Sequence, residues 1–298
     1  MTSYLITGTN TGIGRATAEA LAARGGRVIL AARSHEKTMP VVHELRARFP
    51  NTEIEFLLID LADLASVKQA AATVLSSGRP LDVLINNAGL ASAERLTKDG
   101  FEITFGTNHL GHFALTEMLL PLLKAAPQGR IVHVSSEAHR RADGIPFDAL
   151  RTAVPRNEAF RMYGISKLAN ILYTRELARR LTGTRVTTYA LHPGVVKSDI
   201  WRGLPGWIRA IITLFMISNE KGAVTSVYCA TAPELATVTG RYYDKSREKE
   251  TTPLAQDENL ARQLYDWSDS AVTGALGQGW RETGGAAPLV SPGKAARA

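Results

Sequence analysis

Cys229 is the sole cysteine in this chain of 298 residues. An internal disulfide is therefore excluded, and so is a metal cage built from several thiolates; no metal site is expected. Cys229 itself lies in the apolar, helix-like stretch "SVYCATA" and reads as inert core. Long apolar runs are also missing. The most apolar one, "AIITLFMI" at 210–217, falls far short of the roughly 20 residues that cross a bilayer. The chain opens directly on the strand-like "SYLITG", which leaves no room for a signal peptide, transit sequence or N-terminal anchor, so a cytoplasmic protein is expected. Concentrated charge is absent too. The formal net charge is +7, but the basic residues are scattered among acidic ones rather than gathered into a stripe. With no recognisable nucleic-acid module, that scatter argues for solvated surface and for phosphate attraction at one local site, not for nucleic-acid binding.

What is present is an alternation. Hydrophobic residues make up 45% and charged residues 21%, the balance of a soluble globular protein with a substantial core. "YLIT" (4–7), "RVILAA" (27–32), "IEFLLI" (54–59), "DVLIN" (82–86), "RIVHVS" (130–135) and "RVTTYAL" (185–191) are short, rich in β-branched residues and nearly continuous in apolarity. That pattern suits strands buried on both faces. Helical stretches such as "GRATAEALAARG" (14–25) and "LADLASVKQAAATVLSS" (61–77) lie between them, and Gly25 and Gly26 supply a helix stop. Repeated βα units imply an α/β fold with a doubly wound parallel sheet and right-handed crossovers. "GRYYDK" (240–245) is placed as an added edge strand, and the aperiodic Gly-, Ala- and Pro-rich tail at 283–298 is expected to be disordered.

Straight after the first strand comes "TGTNTGIG", in which Gly8, Gly12 and Gly14 punctuate Thr9, Asn10, Thr11 and Ile13 before a helix. A glycine turn lets backbone N–H groups approach a pyrophosphate, and the helix N-terminus adds partial positive charge. The second strand ends "LAARS". An acid there would hold the adenosine ribose hydroxyls of NAD; Arg33 and Ser34 stand in its place, and an arginine pairs with a 2′-phosphate, so NADP(H) is expected over NAD(H). The competing reading of Arg33 is a surface arginine that begins a loop. Asp60, followed by Leu61, closes the third strand, where its carboxylate would accept from an adenine amino group or cap a helix. "NNAG" closes the fourth, with Asn87 and Ala88 beside the expected cofactor and Gly89 permitting close approach.

"YGISK" sets Tyr163 and Lys167 at i and i+4, on one helix face. Either the tyrosine simply packs over the lysine stem, or the ammonium acidifies the phenol. Ser135 and Ser136 end the fifth strand in "VHVSSEAH", and Asn108 lies in "TNHLGHF" on the helix between strands four and five. Taken singly, the serines could be helix caps and the asparagine a satisfied core amide.

In this order, TGxxxGIG at 7–14, Asp60, NNAG at 86–89, Asn108, Ser136, YxxxK at 163–167 and "HPG" at 192–194 resemble the short-chain dehydrogenase/reductase family over nearly the whole chain. "NHLGHFALT", "VSSEAH", "SKLANILYTRELARRL" and "TTYALHPGVVKSDI" resemble its retinol dehydrogenase-like branch. The resemblance implies a single three-layered Rossmann domain over 1–282 and a catalytic tetrad of Asn108, Ser136, Tyr163 and Lys167. Tyr163 would be general acid or base, with Ser136 orienting the substrate oxygen. Lys167 would bind the nicotinamide ribose as well as acidify the phenol, and Asn108 would hold a relay water. Moving a phenol from a pKa of about 10 to near neutrality takes roughly 4 kcal/mol. One cation about 4 Å away, at an effective dielectric of ~20, supplies an effect of that order. Tyr163 and Lys167 thus also belong to the cofactor site. The backbone at Pro193, Gly194, Val195 and Val196 would grip the carboxamide. His109 and His192 flank the motifs and are expected to make structural hydrogen bonds.

The segment after Ser136, "EAHRRADGIPFDALRTAVPRNEAFRM", is expected to form one wall of the substrate entrance, and 198–217 the other. With Trp201, Trp207, Leu214 and Phe215, the second reads as a lid over an apolar ligand, a core or dimer contact, or a peripheral membrane-surface element. The branch's membrane-bound retinoid enzymes often carry a hydrophobic anchor that this sequence lacks. The substrate is therefore taken only as far as a lipophilic aldehyde or ketone. Helices after strands four and five make dimer contacts in relatives, which implies a homo-oligomer. The alternative to an enzyme is a catalytically silent NADPH-binding regulator; the presence of Tyr163, Lys167 and Ser136 weighs against it.

Overall fold

A computed structural model describes residues 1–194 and 218–282. Val195, Val196, the 198–217 segment and the tail from Thr283 lie outside the described residues.

The strands are β1 (Ser3–Thr7), β2 (Gly26–Ala32), β3 (Thr52–Leu58), β4 (Val83–Asn86), β5 (Gly129–Val134), β6 (Val186–His192), β7 (Arg241–Asp244) and β8 (Arg247–Glu248). Each of the first six falls where continuous apolarity places it, with ends shifted by a residue or two. They form one eight-stranded sheet in the order β3-β2-β1-β4-β5-β6-β7-β8, parallel throughout except for the final β7–β8 pair. β7 is the edge strand expected at 240–245, and β8 folds back to extend it.

Alternation along each strand feeds two cores. Tyr4, Ile6, Val28, Leu30, Val83, Ile85, Val132 and Val134 face one side, where α1 (Gly12–Ala22), α2 (His35–Arg48) and α7 (Asn219–Thr231) pack. Leu5, Ile29, Leu84 and Ile131 face the other. That side carries α3 (Leu64–Ser76), α5 (Gly111–Ala125), α6 (Ala159–Arg180) and α8 (Glu258–Leu276). The result is the three-layered doubly wound architecture read from the strand pattern. Gly25 and Gly26 end α1 with φ of 79° and 111°, values open to glycine alone without strain. Cys229 is buried in the first core, as expected of an inert thiol.

The order reverses between β1 and β4, which opens a crevice at the carboxyl ends of the strands. The motif residues at the strand ends gather there. On the far side of α5 and α6, α8 lies against α6 and α3, and Glu117 of α5 accepts from Tyr265 of α8 at 2.9 Å. The helices expected to meet a second copy are thus partly covered by the chain's own C-terminal helix.

Candidate active site

The glycine turn is shaped by contacts that leave no room for side chains. Gly8 and Gly12 hold φ of 75° and 62°. A Cβ on Gly14 would sit 2.2 Å from the Gly8 carbonyl oxygen, and one on Gly8 would sit 2.9 Å from Ala88 Cα. Thr9 is buried under the turn, while Asn10 and Ile13 are half-buried. Thr11 occupies the N-cap of α1 without a side-chain capping bond, and the first turn has no acid. The helix thus begins without an acceptor of its own, the arrangement that suits an anionic ligand.

The turn after β4 is tied to β1. Asn87 Nδ2 donates to the Thr7 carbonyl at 2.7 Å, and the N–H groups of Asn87 and Ala88 both donate to Thr7 Oγ1, at 2.9 and 3.0 Å. Gly89 follows, and its missing side chain matters: a Cβ there would lie 3.4 Å from both Asn108 Oδ1 and Lys167 Nζ. Asn108 sits in a π-helical turn (Gly106–Leu110) between a short turn of helix, α4 (Ile103–Phe105), and α5. Its side chain accepts from Leu90 N–H at 2.8 Å and donates to the Leu90 carbonyl at 2.8 Å and Ser166 Oγ at 3.0 Å.

The two serines at the end of β5 divide the work. Ser135 Oγ donates to the Lys167 carbonyl at 2.7 Å, fastening α6 to the sheet. Ser136 instead caps the following 3-10 turn, accepting from Ala138 N–H at 3.2 Å. Tyr163 and Lys167 are both buried, at 7% and 2% exposure. Burial pushes the Tyr163 phenol up to about 12, against a smaller downward pull from the Ser136 hydroxyl. Burial likewise pushes the Lys167 amine down to about 7. The expected acidification of the phenol by Lys167 is therefore not realised in the protein alone. Desolvation penalises both charged forms at once.

Around this centre, Arg33 is exposed at the end of β2 and has no hydrogen-bond or ion-pair partner among the described residues. Ser34 caps α2, accepting from Lys37 N–H at 3.3 Å. Asp60 Oδ1 accepts from Ala62 N–H at 3.0 Å; the helix cap that competed for Asp60 belongs to Asp63. Leu61 is buried, with its carbonyl oxygen 2.4 Å from where a Gly111 Cβ would stand. Pro193 and Gly194 follow β6 at the same sheet end, with Gly194 at φ 91°. His109 bonds Ser268 Oγ at 2.9 Å, and His192 Nδ1 accepts from Glu137 N–H at 3.4 Å, so both make structural bonds. Two residues without an assigned role in the motifs prove central: Thr7, the first residue of TGxxxGIG, and His112, bonded to Thr7 Oγ1 at 2.9 Å. A buried threonine at a strand end and a histidine in an otherwise apolar helix were the available signals.

A glycine turn at the first βα junction, with buried Tyr163 and Lys167 beside half-buried Ser136 at the carboxyl end of the sheet, defines a dinucleotide-dependent oxidoreductase of the doubly wound class. The chain belongs to the short chain dehydrogenase family, whose profile matches residues 3–208. It falls in the retinol dehydrogenase-like branch. It is 43% identical over 278 residues to retinol dehydrogenase 13 of Homo sapiens, covering 90% of this chain and 83% of that one. It is 42% identical over 281 residues to dehydrogenase/reductase SDR family member 13 of Bos taurus, covering 92% and 74%. Among solved structures, an uncharacterized protein from Mycobacterium paratuberculosis matches with a TM-score of 0.75 and 34% identity, covering 92% of this chain and 94% of that one. A gluconate 5-dehydrogenase-like protein from Beutenbergia cavernae, solved with bound NADP, matches with a TM-score of 0.66 and 26% identity, covering 82% and 94%. The family binds NAD(P), and the turn at Gly8 and Gly14 fits such a ligand: neither glycine has room for a side chain, so the backbone N–H groups stay open to an anion. Among the described residues no group of three or more acids, histidines or cysteines could hold a metal, and no helix is long and apolar enough to cross a membrane.

Proposed function

We propose that the protein is an NADP(H)-dependent reductase or dehydrogenase acting on the carbonyl/alcohol pair of a lipophilic small molecule, with Tyr163 as general acid/base. The observation that carries this reading is the buried phenol of Tyr163, influenced by the Ser136 hydroxyl and with Lys167 Nζ 5.5 Å from its ring centre. The nicotinamide supplies or accepts the hydride; the protein's part is orientation and proton transfer. Ser136 orients the substrate oxygen, and Tyr163 donates to it during reduction or accepts from the alcohol in reverse. Lys167 spends one N–H on the Val134 carbonyl at 2.8 Å and has two left for the ribose hydroxyls. Asn108 braces Leu90 and Ser166 on either side of Gly89 and Lys167. The glycine turn (Gly8, Thr9, Asn10, Thr11, Gly12, Ile13, Gly14) takes the pyrophosphate. Asp60, Leu61 and Asn87–Gly89 line the adenine and ribose path, and 193–196 takes the carboxamide. Arg33, unpaired at the end of β2, favours the 2′-phosphate of NADP(H).

The lipophilic substrate is supported by Phe160, which stacks on Tyr163 at 6.0 Å between ring centres and puts an apolar face of the 137–162 segment beside the phenol. The names of the retinol dehydrogenase relatives point the same way. A cytoplasmic location, one domain over 1–282 and a role for 198–217 at the substrate entrance complete the reading. The test is a panel of hydrophobic aldehydes, ketones and alcohols followed by NADPH absorbance, with NADH as control. Turnover of a lipophilic carbonyl with NADPH favoured is expected. Tight NADPH binding with no turnover across the panel would instead favour the silent regulator.

A further inference from the structure

His112 opens α5 and is 1% exposed. Its Nδ1 lies 3.0 Å from the main-chain carbonyl of Asn108, and its Nε2 lies 2.9 Å from Thr7 Oγ1. The protons can be placed by counting donors. A hydroxyl has one O–H and two lone pairs. Both lone pairs of Thr7 Oγ1 are taken by the N–H groups of Asn87 and Ala88. Its hydrogen therefore has to leave towards His112 Nε2 or towards the Ile85 carbonyl, which at 3.5 Å is the poorer partner. With Nε2 accepting, the ring proton sits on Nδ1 and donates to the Asn108 carbonyl. Burial opposes a second proton, holding the imidazole down to about 4.

These bonds close a ring. Thr7 holds Asn87 and Ala88; the chain continues through Gly89 to Leu90; Leu90 exchanges two bonds with the Asn108 side chain; and the Asn108 carbonyl returns through His112 to Thr7. Gly89, inside the ring, faces Lys167 Nζ. Remove the imidazole and the turn after β4 loses its link to the π-helical turn on that side.

We propose that His112 is a positioning residue: a neutral, Nδ1-protonated imidazole that spans Thr7 and the Asn108 carbonyl, locking the turn at 87–89 and the Asn108 turn into one frame. Its consequence for catalysis rests on the proposed function; the tautomer and the frame do not. The turn side of the frame governs how the dinucleotide is held. The Asn108 side, through Ser166, governs where Lys167 and Tyr163 stand.

Two measurements test this. The first uses the protein alone: nitrogen-15 NMR of the histidine rings at pH 7, with His112→Gln to assign the signal. The Nδ1–H tautomer is expected; an Nε2–H tautomer or an imidazolium overturns the proposal whatever the protein turns over. The second separates the two ends of the ring. His112→Asn keeps a donor near Nδ1 and lets go of Thr7, whereas His112→Gln keeps an acceptor near Nε2 and lets go of the Asn108 carbonyl. His112→Asn should raise the NADPH Kd by about tenfold, the worth of one buried hydrogen bond, with a smaller fall in kcat. His112→Gln should do the reverse. Equal movement of both constants in both variants, as a general loss of structure would give, or movement in neither, rejects the frame. Binding and turnover by the unaltered protein test the proposed function separately, before any variant is made.

Discussion

Lys167 Nζ stands 5.5 Å from the ring centre of Tyr163 yet donates to the carbonyl of Val134 at 2.8 Å. The amine is held by the sheet, not by the phenol. Both groups are stripped of water, so the phenol moves up to about 12 and the amine down to about 7. A protonated phenol is the form that donates, so the resting site is poised for reduction. Lowering the phenol again takes a further positive charge nearby, and oxidised nicotinamide carries one.

Replacing Tyr163 by Phe removes the donor and keeps the ring. A positioned general acid contributes about 10²–10⁴ in rate. Tyr163→Phe should therefore lower kcat by about 10³ while the NADPH Kd, read by fluorescence titration, stays within about twofold, since in the proposed mechanism the phenol acts on the substrate oxygen. Turnover equal to that of the parent would remove Tyr163 from the chemistry.

Arg33 gives a second, independent handle, because it has no partner among the described residues and its loss should leave the fold intact. A charge-assisted bond to a phosphate is worth about 1.5–3 kcal/mol, or roughly 10–100-fold. Arg33→Ala should raise KM for NADPH by that factor and leave KM for NADH nearly unchanged. Equal effects on the two dinucleotides, or equal rates with both in the parent, would refute the preference.

Much of this was legible in the residue order, for physical reasons that can be named. Continuous β-branched runs mark strands buried on both faces, and β1 to β6 lie there. Glycines at 8 and 14 are required by contacts under 3 Å, so they stand out in any chain that folds this way. The choice of Ser136 over Ser135 follows the motif, and the structure gives Ser135 a different partner. What escaped depends on distance along the chain or on details of helix geometry. Asp60 and Asp63 are chemically alike, and only the entry angle of α3 decides which one caps it. The π-helical turn at Gly106–Leu110 has no periodic signature. The acidity of Tyr163 turned on burial, which an i, i+4 spacing does not reveal.

The buried histidines make an acid-stability prediction with a definite sign. Burial holds His109 down to about 3, His112 down to about 4 and His133 well below its ordinary value of 6.5. Below about pH 6.5 the unfolded chain takes up protons that the folded protein refuses. Their stabilising contribution is thus complete above 6.5 and is lost as pH falls through the window towards 4 and then 3. Each site adds at most about 1.4 kcal/mol per pH unit to the slope. The carboxyls of Glu53 and Glu137, both held down to about 2 from 4.5, add to the loss only at lower pH. Urea unfolding at pH 5 and pH 7 should therefore show a clear drop in stability, and His109→Gln should reduce it. A flat profile over that interval would contradict the buried neutral rings.

Glu117 supports the last prediction, which concerns how the C-terminal helix is held. This carboxylate, 5% exposed, accepts from Tyr173 of α6 at 3.0 Å, Tyr265 of α8 at 2.9 Å and Arg281 beyond α8 at 3.3 Å. Arg180 lies 3.5 Å over the Tyr265 ring. Losing the shared acceptor leaves two buried phenol O–H donors without an acceptor, at about 1–3 kcal/mol each. Glu117→Ala should therefore cost about 2–6 kcal/mol in urea unfolding, whereas Arg281→Ala, which takes one donor from a buried carboxylate that keeps both phenols, should cost less, about 1–3 kcal/mol. Because α8 covers α6 on this face, Glu117→Ala should also raise amide exchange across 258–276 and expose the α5–α6 surface. A rise in self-association of this variant, measured by sedimentation, would show that α8 normally shields that surface. Stability and exchange both unchanged would mean that the helix is held by its apolar contacts alone.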